Sequence, residues 1–341
     1  MITIKHIADA LGLAHTTVSR ALNDHPQISD ETKVKVREAA ERLGYVPNSG
    51  ARLMRNGSSS LIGLIVPDVQ NEFFSAVARA LANQCAASGY QLTLGISEDD
   101  PQREQQHVQT LMEGRAQGVM IAPCGKSSAV TKALLQQMPT VQLLRFDPSL
   151  GALGLSVDDV GGMGAATRHL LDLGHRRIGF IGGSQELSTG VGRLEGYKTA
   201  LNACGIEFDP GLVKSGPTLP AFGYDAVRDL LRSDPAMTAL ILASSRQLLG
   251  GLKALREGKV AIPDRLSVVG YGDTEWFEVC HPPITGMSLP VKEMGQQAAS
   301  LLFSALEGSG QASAVQTKPI AQRIFKPELI LRESTGIPLA H

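Results

Sequence analysis

Apolar positions recur along this chain in two different rhythms. In the first 45 residues the spacing is that of short helices. Ile4, Ile7, Ala8 and Leu11 stand at i, i+3, i+4 and i+7, which is one face of a helix. Gly12 then supplies the left-handed residue that ends it. A second short pattern turns Val18, Ala21 and Leu22 inward and leaves His15, Thr16, Ser19, Arg20 and Asn23 outside. A third helix is expected from Ser29, a good N-cap, with Asp30 and Glu31 at the positive end of the helix dipole. Its inward positions are Val36, Ala39, Ala40 and Leu43, and Gly44 stops it.

From Leu61 the rhythm changes to short apolar runs separated by helical stretches. Strands are expected at 62–66, 90–94, 118–122 and 140–144, with helices over 73–88, 101–114 and 127–138. The alternation restarts after residue 155. A helix over 161–173 is followed by strands near 177–181, 240–243 and 266–270. Another helix starts at Arg193, and a last long one covers about 291–306. Strands of this length alternating with helices are βαβ units, so the fold class is α/β with two parallel-sheet subdomains in tandem behind a helical headpiece. Two such lobes suggest a ligand held in the cleft between strand-end loops.

Composition narrows the function classes. The chain has 341 residues, 43% of them hydrophobic, 19% charged and a net charge of −1, which describes a globular protein and excludes a broadly basic or disordered one. Cys85, Cys124, Cys204 and Cys280 are widely spaced and form no metal-ligand pattern, so they are expected as reduced thiols. No apolar run reaches the ~20 residues of a membrane span, and the opening residues lack the form of a signal peptide. The expected location is the cytoplasm, on the nucleoid. The run Gly179-Phe180-Ile181-Gly182-Gly183 does not have dinucleotide-binding spacing. With no nucleophile, base or carboxylate constellation in view, no catalytic residue, cofactor or metal is expected and the chain is not read as an enzyme.

The outer face of the second helix carries hydroxyls, an amide, an imidazole and a guanidinium, groups suited to phosphate oxygens and base edges. Two short helices joined by a glycine turn form a helix-turn-helix, whose second helix enters the major groove of double-stranded DNA. An ordinary helical cap is the alternative. Local charge favours DNA only weakly, with eight Lys/Arg against six Asp/Glu in residues 1–57.

A longer ordered set of residues carries a resemblance. Ile7-Ala8-Asp9-Ala10-Leu11-Gly12 and Thr17-Val18-Ser19-Arg20-Ala21-Leu22-Asn23 are followed by Ile28-Ser29, Leu43-Gly44-Tyr45-Val46-Pro47-Asn48 and Ala51-Arg52. This stretch resembles the headpiece of the lactose-repressor (LacI/GalR) family. The resemblance implies base reading by His15, Thr16 and Arg20, and phosphate contacts by Thr17, Ser19 and Asn23. Ala14 departs from the family's capping Ser, which would weaken the recognition helix by about 1 kcal/mol. Residues 48–60 would be a hinge, with Ala51 within it and Met54 as the wedge into the minor groove. Gly50, where Val is usual, raises the cost of a hinge helix by about 1 kcal/mol.

Residues 61–332 are similar to the effector-binding core of the same family, which shares its fold with periplasmic sugar-binding proteins. The marks include Gly63-Leu64-Ile65-Val66-Pro67-Asp68, Gly174-His175-Arg176-Arg177-Ile178, Arg193 with Gly196-Tyr197, and Val268-Val269-Gly270-Tyr271. The implied domains are a headpiece (1–47), a hinge (48–60) and a core (61–341). The first lobe would span about 61–155 plus a returning segment near 275–305. The second would span 156–274 plus the C-terminal segment. Where sugar-responding members carry acidic groups, this chain has Leu144, Arg246 and Gly272. With Arg145 and the family's Arg193, the cleft is expected to hold three guanidiniums, which calls for a small anionic effector. Phe73 and Phe74 would pack on its apolar face, and Asp273 is a further cleft candidate, either for the effector or, with Asp158, as a partner of Arg246. The expectation is a ligand-controlled repressor that binds a palindromic operator as a homodimer, with a tetramer as the alternative. The competing class is a solute-binding module without DNA function.

Overall fold

The computed structural model describes residues 2–45, 59–151, 153–309 and 322–339. The chain divides into two compact units, Met1–Ser59 and Ser60–His341. In the first, helices α1 (Ile4–Leu11), α2 (His15–Leu22) and α3 (Asp30–Leu43) enclose a small core of Ile7, Val18, Ala21, Val36 and Ala39. Gly12 and Gly44 end α1 and α3 at φ +64° and +65°, a conformation that glycine adopts without a Cβ penalty. Ser29 caps α3, its hydroxyl accepting from Thr32 N–H at 3.4 Å. Residues 48–58 of the hinge, with Gly50, Ala51 and Met54, lie outside the described residues.

The second unit holds two six-stranded sheets. The first is ordered β11-β5-β4-β3-β1-β2, from β1 (Leu61–Val66), β2 (Gln91–Ile96), β3 (Gly118–Ile121), β4 (Thr140–Leu144), β5 (Gly154–Val157) and β11 (Gln322–Phe325), all parallel. Helices α4 (Glu72–Ala87), α5 (Pro101–Glu113) and α6 (Ala129–Leu135) join its strands, and α12 (Val291–Ser309) packs beside α4. The second sheet is ordered β12-β10-β9-β8-β6-β7. Its strands are β6 (Ile178–Gly183), β7 (Val213–Gly216), β8 (Ala239–Leu242), β9 (Ser267–Tyr271), β10 (Thr285–Ser288) and β12 (Glu328–Ile330), with β12 antiparallel to β10. Its helices are α7 (Asp159–Asp172), α8 (Ser188–Ala203), α9 (Pro220–Ser233), α10 (Ser245–Glu257) and the short α11 (Glu275–Val279). The inner strands of each sheet are buried on both faces, which is why β1, β3, β8 and β9 read as apolar runs, whereas the outer strands β2, β7, β11 and β12 are partly exposed.

The lobe segments differ from expectation. The chain crosses between sheets after β5, after β10 and again between β11 and β12. The segment returning to the first lobe is therefore α12 and β11, so the first part of the expected 275–305, through β10, stays in the second lobe. Phe277 of α11 is fully buried in the second lobe's core, packed against Gly270 and Gly286, and this anchors 275–288 there. Helices α9 and α10 fill the two stretches left unassigned on either side of β8. Helix α8 also begins five residues before Arg193.

Candidate DNA-reading face and effector cleft

Helix α2 buries Val18 and Ala21 completely. That orientation leaves His15, Thr16, Arg20 and Asn23 exposed, with Thr17 and Ser19 at the half-buried flanks. The Asn23 amide donates to the Ser19 carbonyl, which holds it against the last turn of α2. Ala14 takes extended N-cap angles (φ −66°, ψ 141°) but offers no side-chain acceptor. No side chain therefore caps the first turn of the helix, and Thr17 N–H turns back to the Ala14 carbonyl at 2.9 Å.

The cleft lies at the C-terminal ends of the parallel strands of the two sheets. In the first lobe, the loop after β2 carries Glu98 and Asp99 at φ +51° and +58°, a strained conformation for residues with a Cβ. It presents Asp99 to Arg145, which follows β4. The two guanidinium nitrogens grip both carboxylate oxygens, the Nη2–Oδ2 bond measuring 3.2 Å, and Nη1 also donates to the Pro123 carbonyl at 3.3 Å. Arg145 is buried, whereas the Asp99 side chain remains about a third exposed, at 33%.

In the second lobe, α7 and α8 pack closely because Gly196 has no side chain. A Cβ there would stand 2.3 Å from the Val160 carbonyl oxygen. That approach brings Arg193 of α8 onto Asp159 of α7. Arg193 Nε and Tyr271 O–H both donate to Asp159 Oδ1, at 2.7 and 2.6 Å, and Arg193 Nη1 donates to the Ala243 carbonyl at 2.7 Å. The guanidinium carbon lies 3.8 Å from the centre of the Tyr271 ring. Burial opposes the charge on Arg193, but the adjacent Asp159 carboxylate and Tyr271 outweigh it and hold the guanidinium above its ordinary pKa. Burial, reinforced by Asp159, pushes the Tyr271 hydroxyl well above its ordinary value, so it stays protonated and donates.

Three of the predicted site residues therefore stand at the cleft, and each already has a carboxylate. Arg145 holds Asp99, Arg193 holds Asp159, and Arg246 lies 3.3 Å from Asp68. The expected cluster of uncompensated cations does not occur. Asp68 lies two residues past the end of β1, so strand-end geometry rather than chain proximity supplies the partner of Arg246; Asp158 instead caps α7 at Gly161 N–H, 2.8 Å away. Asp273 is held by Arg332 at 2.7 and 3.1 Å, which fixes the C-terminal segment and makes Arg332, not Arg246, its partner. Phe73 and Phe74 are 6% and 3% exposed, edge-to-face in the core beneath α4. Their place follows from Asn71, whose side chain caps α4 at Phe73 N–H and sets both rings in the helix's first turn. Gly272 has φ +90°, so a carboxylate-bearing residue there would be strained. Reading from the sequence missed Asp68, Asp99, Asp159 and Tyr271. All four stand at or just after strand ends, and Asp159 also opens α7, a signal available in the pattern of β-strands.

A helix-turn-helix in the same chain as a two-lobed cleft of this topology defines a ligand-responsive DNA-binding regulator. The family description "Bacterial regulatory proteins, lacI family" matches residues 3–48, and "Periplasmic binding protein-like domain" matches residues 167–335. The transcriptional regulator GalR of Salmonella typhimurium is 31% identical over 339 residues, covering 99% of this chain and 97% of that one. The repressor PurR of Haemophilus influenzae is 28% identical, with 98% of each covered. Among solved structures, the regulator CelR in complex with cellobiose superposes with a TM-score of 0.72 at 28% identity, covering 98% of this chain and all of that one. A lac repressor dimer on operator DNA superposes at 0.82 but shares 22% identity, a likeness of fold. This chain belongs to the lacI family of DNA-binding transcriptional regulators and is not an enzyme.

Proposed function

We propose that the chain is a homodimeric repressor of the cytoplasm. It would bind a palindromic operator through α2 and respond to a neutral, polyhydroxylated ligand seated between Asp99–Arg145 and Asp159–Arg193–Tyr271. The observation that carries the ligand class is the pairing itself. Each lobe presents a guanidinium already neutralised by a carboxylate, so the cleft offers donors and acceptors side by side with little net positive charge. Hydroxyls can donate to Asp99 while accepting from Arg145, whereas a second carboxylate would have to sit beside Asp99 and Asp159 in a poorly solvated site. The anionic effector inferred from sequence rested on unpaired cations, and pairing removes that ground. Support for repression comes from the repressor relatives. Support for DNA reading comes from the exposed hydroxyl, imidazole and guanidinium groups of α2.

The test uses the full chain. Calorimetry compares D-galactose with D-galactonate and cellobiose with cellobionate, and a mobility shift on palindromic DNA is run with and without each. The expected result is binding of an aldose in preference to its acid and a change in the DNA shift with that ligand. Preference for the acid in both pairs would overturn the neutral class, and no DNA shift under any condition would overturn the operator reading.

A further inference from the structure

Protein groups bridge the two lobes directly at three strand ends. Lys126, after β3, pairs with Glu186, and Gly125 lies so close that a Cβ there would be 2.6 Å from the Glu186 carbonyl oxygen. Phe146 N–H, after β4, donates across the cleft to Ser188 Oγ at 3.0 Å. At the other end of the cleft Arg246, in the first turn of α10, reaches the loop between β1 and α4. Its Nη2 donates to Gln70 Oε1, and its Nε stands 3.3 Å from Asp68 Oδ2.

These three contacts differ in strength. Lys126 and Glu186 are 73% and 53% exposed, and such pairs contribute little. Arg246 and Asp68 are 18% and 28% exposed, so water screens them much less. Asp68 is also fixed in place, because its Oδ1 accepts from Gln70 N–H at 2.7 Å. Arg246 thus grips a preformed turn that leads, through the Asn71 cap, straight into α4. Arg246 Nε is buried and makes no well-aligned hydrogen bond, so its attraction to Asp68 is electrostatic and needs no particular alignment.

We propose that Arg246 is a cross-lobe strut, not a ligand receptor: by holding Asp68 and Gln70 it stabilises the closed cleft and ties the second lobe to the start of α4. The proposal deepens the effector-cleft reading, because a ligand would then add to a closure the protein already favours. It would shift the lobe equilibrium only by its differential affinity for the two arrangements. The strut itself operates without ligand, so its test is independent of effector class.

The test is amide hydrogen exchange at Phe146, whose hydrogen bond crosses the cleft at a different strand end from Arg246. Four full-length proteins are compared without ligand: the parent, Arg246→Met, Asp68→Asn and the double variant. Asn retains the acceptor for the Gln70 turn. Ser188→Ala, which removes the acceptor of Phe146 N–H, sets the fastest rate attainable in the native fold. We expect Arg246→Met to speed Phe146 exchange about five-fold and Asp68→Asn to speed it less. The double variant should be no faster than Arg246→Met, because both changes break one contact. Amides within β8 serve as the folding control. If Arg246→Met loosens them too, Arg246→Gln, a shorter polar side chain without the charge, takes its place with the same expectation. An unchanged Phe146 rate in the Arg246 variant, or fully additive effects in the double variant, would overturn the strut.

Discussion

The outer face of α2 and the cleft between the lobes use similar side chains under opposite conditions. Arg20 is exposed on a helix of eight residues, while Arg193 is 8% exposed and holds a carboxylate, a carbonyl and an aromatic ring. The first can be removed with little effect on the fold, because water already solvates it. The second cannot, because its partners were desolvated around it. A surface that must meet a large, charged, water-coated partner keeps its cations available. A cleft that must tell small molecules apart fixes its cations beforehand, so that little side-chain entropy is lost when a ligand arrives.

The largest expected effect breaks the buried side of this contrast. Asp159→Ala leaves Arg193 buried without its charge partner, which should cost about 3–5 kcal/mol of stability. Trp276, the single tryptophan of the chain, lies in the second lobe beside Phe277, so its fluorescence reports melting of the core. A melt within about 2 °C of the parent would show that the pair is not a structural ion pair.

On the exposed side, Arg20→Ala should weaken discrimination between operator and scrambled DNA by about 1–3 kcal/mol. The Trp276 melt should not move. If that variant separates the two DNAs as well as the parent does, Arg20 is not a base reader.

Acidification acts on the core through two histidines. His175 is 1% exposed between Thr238 Oγ1 and the Gly336 carbonyl, at 2.9 Å each. The carbonyl requires Nε2 to carry the proton, so Nδ1 accepts from Thr238. Burial lowers the pKa of His175 and His169 below the ordinary 6.5. The unfolded chain therefore takes up protons that the folded chain refuses. Their contribution to stability is fully present above about pH 6.5 and is lost as pH falls through the lowered folded values. The Trp276 melting temperature should fall between pH 7 and pH 5, and less so in His175→Gln. An identical slope in that variant would remove His175 from the account.

The smallest effect sharpens the headpiece side. Ala14→Ser supplies the acceptor missing at the N-cap of α2 and should stabilise that helix by about 1 kcal/mol. Amide exchange over residues 15–18 should slow, and an unchanged rate would mean that the cap position is satisfied in another way.

Local pattern made the headpiece legible: the period of Ile4, Ile7, Ala8 and Leu11, the stops at Gly12 and Gly44, and the Ser29 cap are all decided within a few residues of one another. Helix formation and capping depend on neighbours along the chain, so Val18 and Ala21 facing inward already placed Arg20 outside. The apolar runs of the core likewise announced parallel strands, because a strand buried on both faces has to be apolar throughout. Charge pairing in the cleft was decided elsewhere. Arg145 meets Asp99 across 46 positions, Arg193 meets Asp159 across 34, and Arg246 meets Asp68 from the other lobe. Read singly, each arginine looked like an unpaired cation. Strand order and the close approach of α7 to α8 at Gly196 determine which carboxylate each one meets, since an ion pair depends on distance in space and is indifferent to distance along the chain.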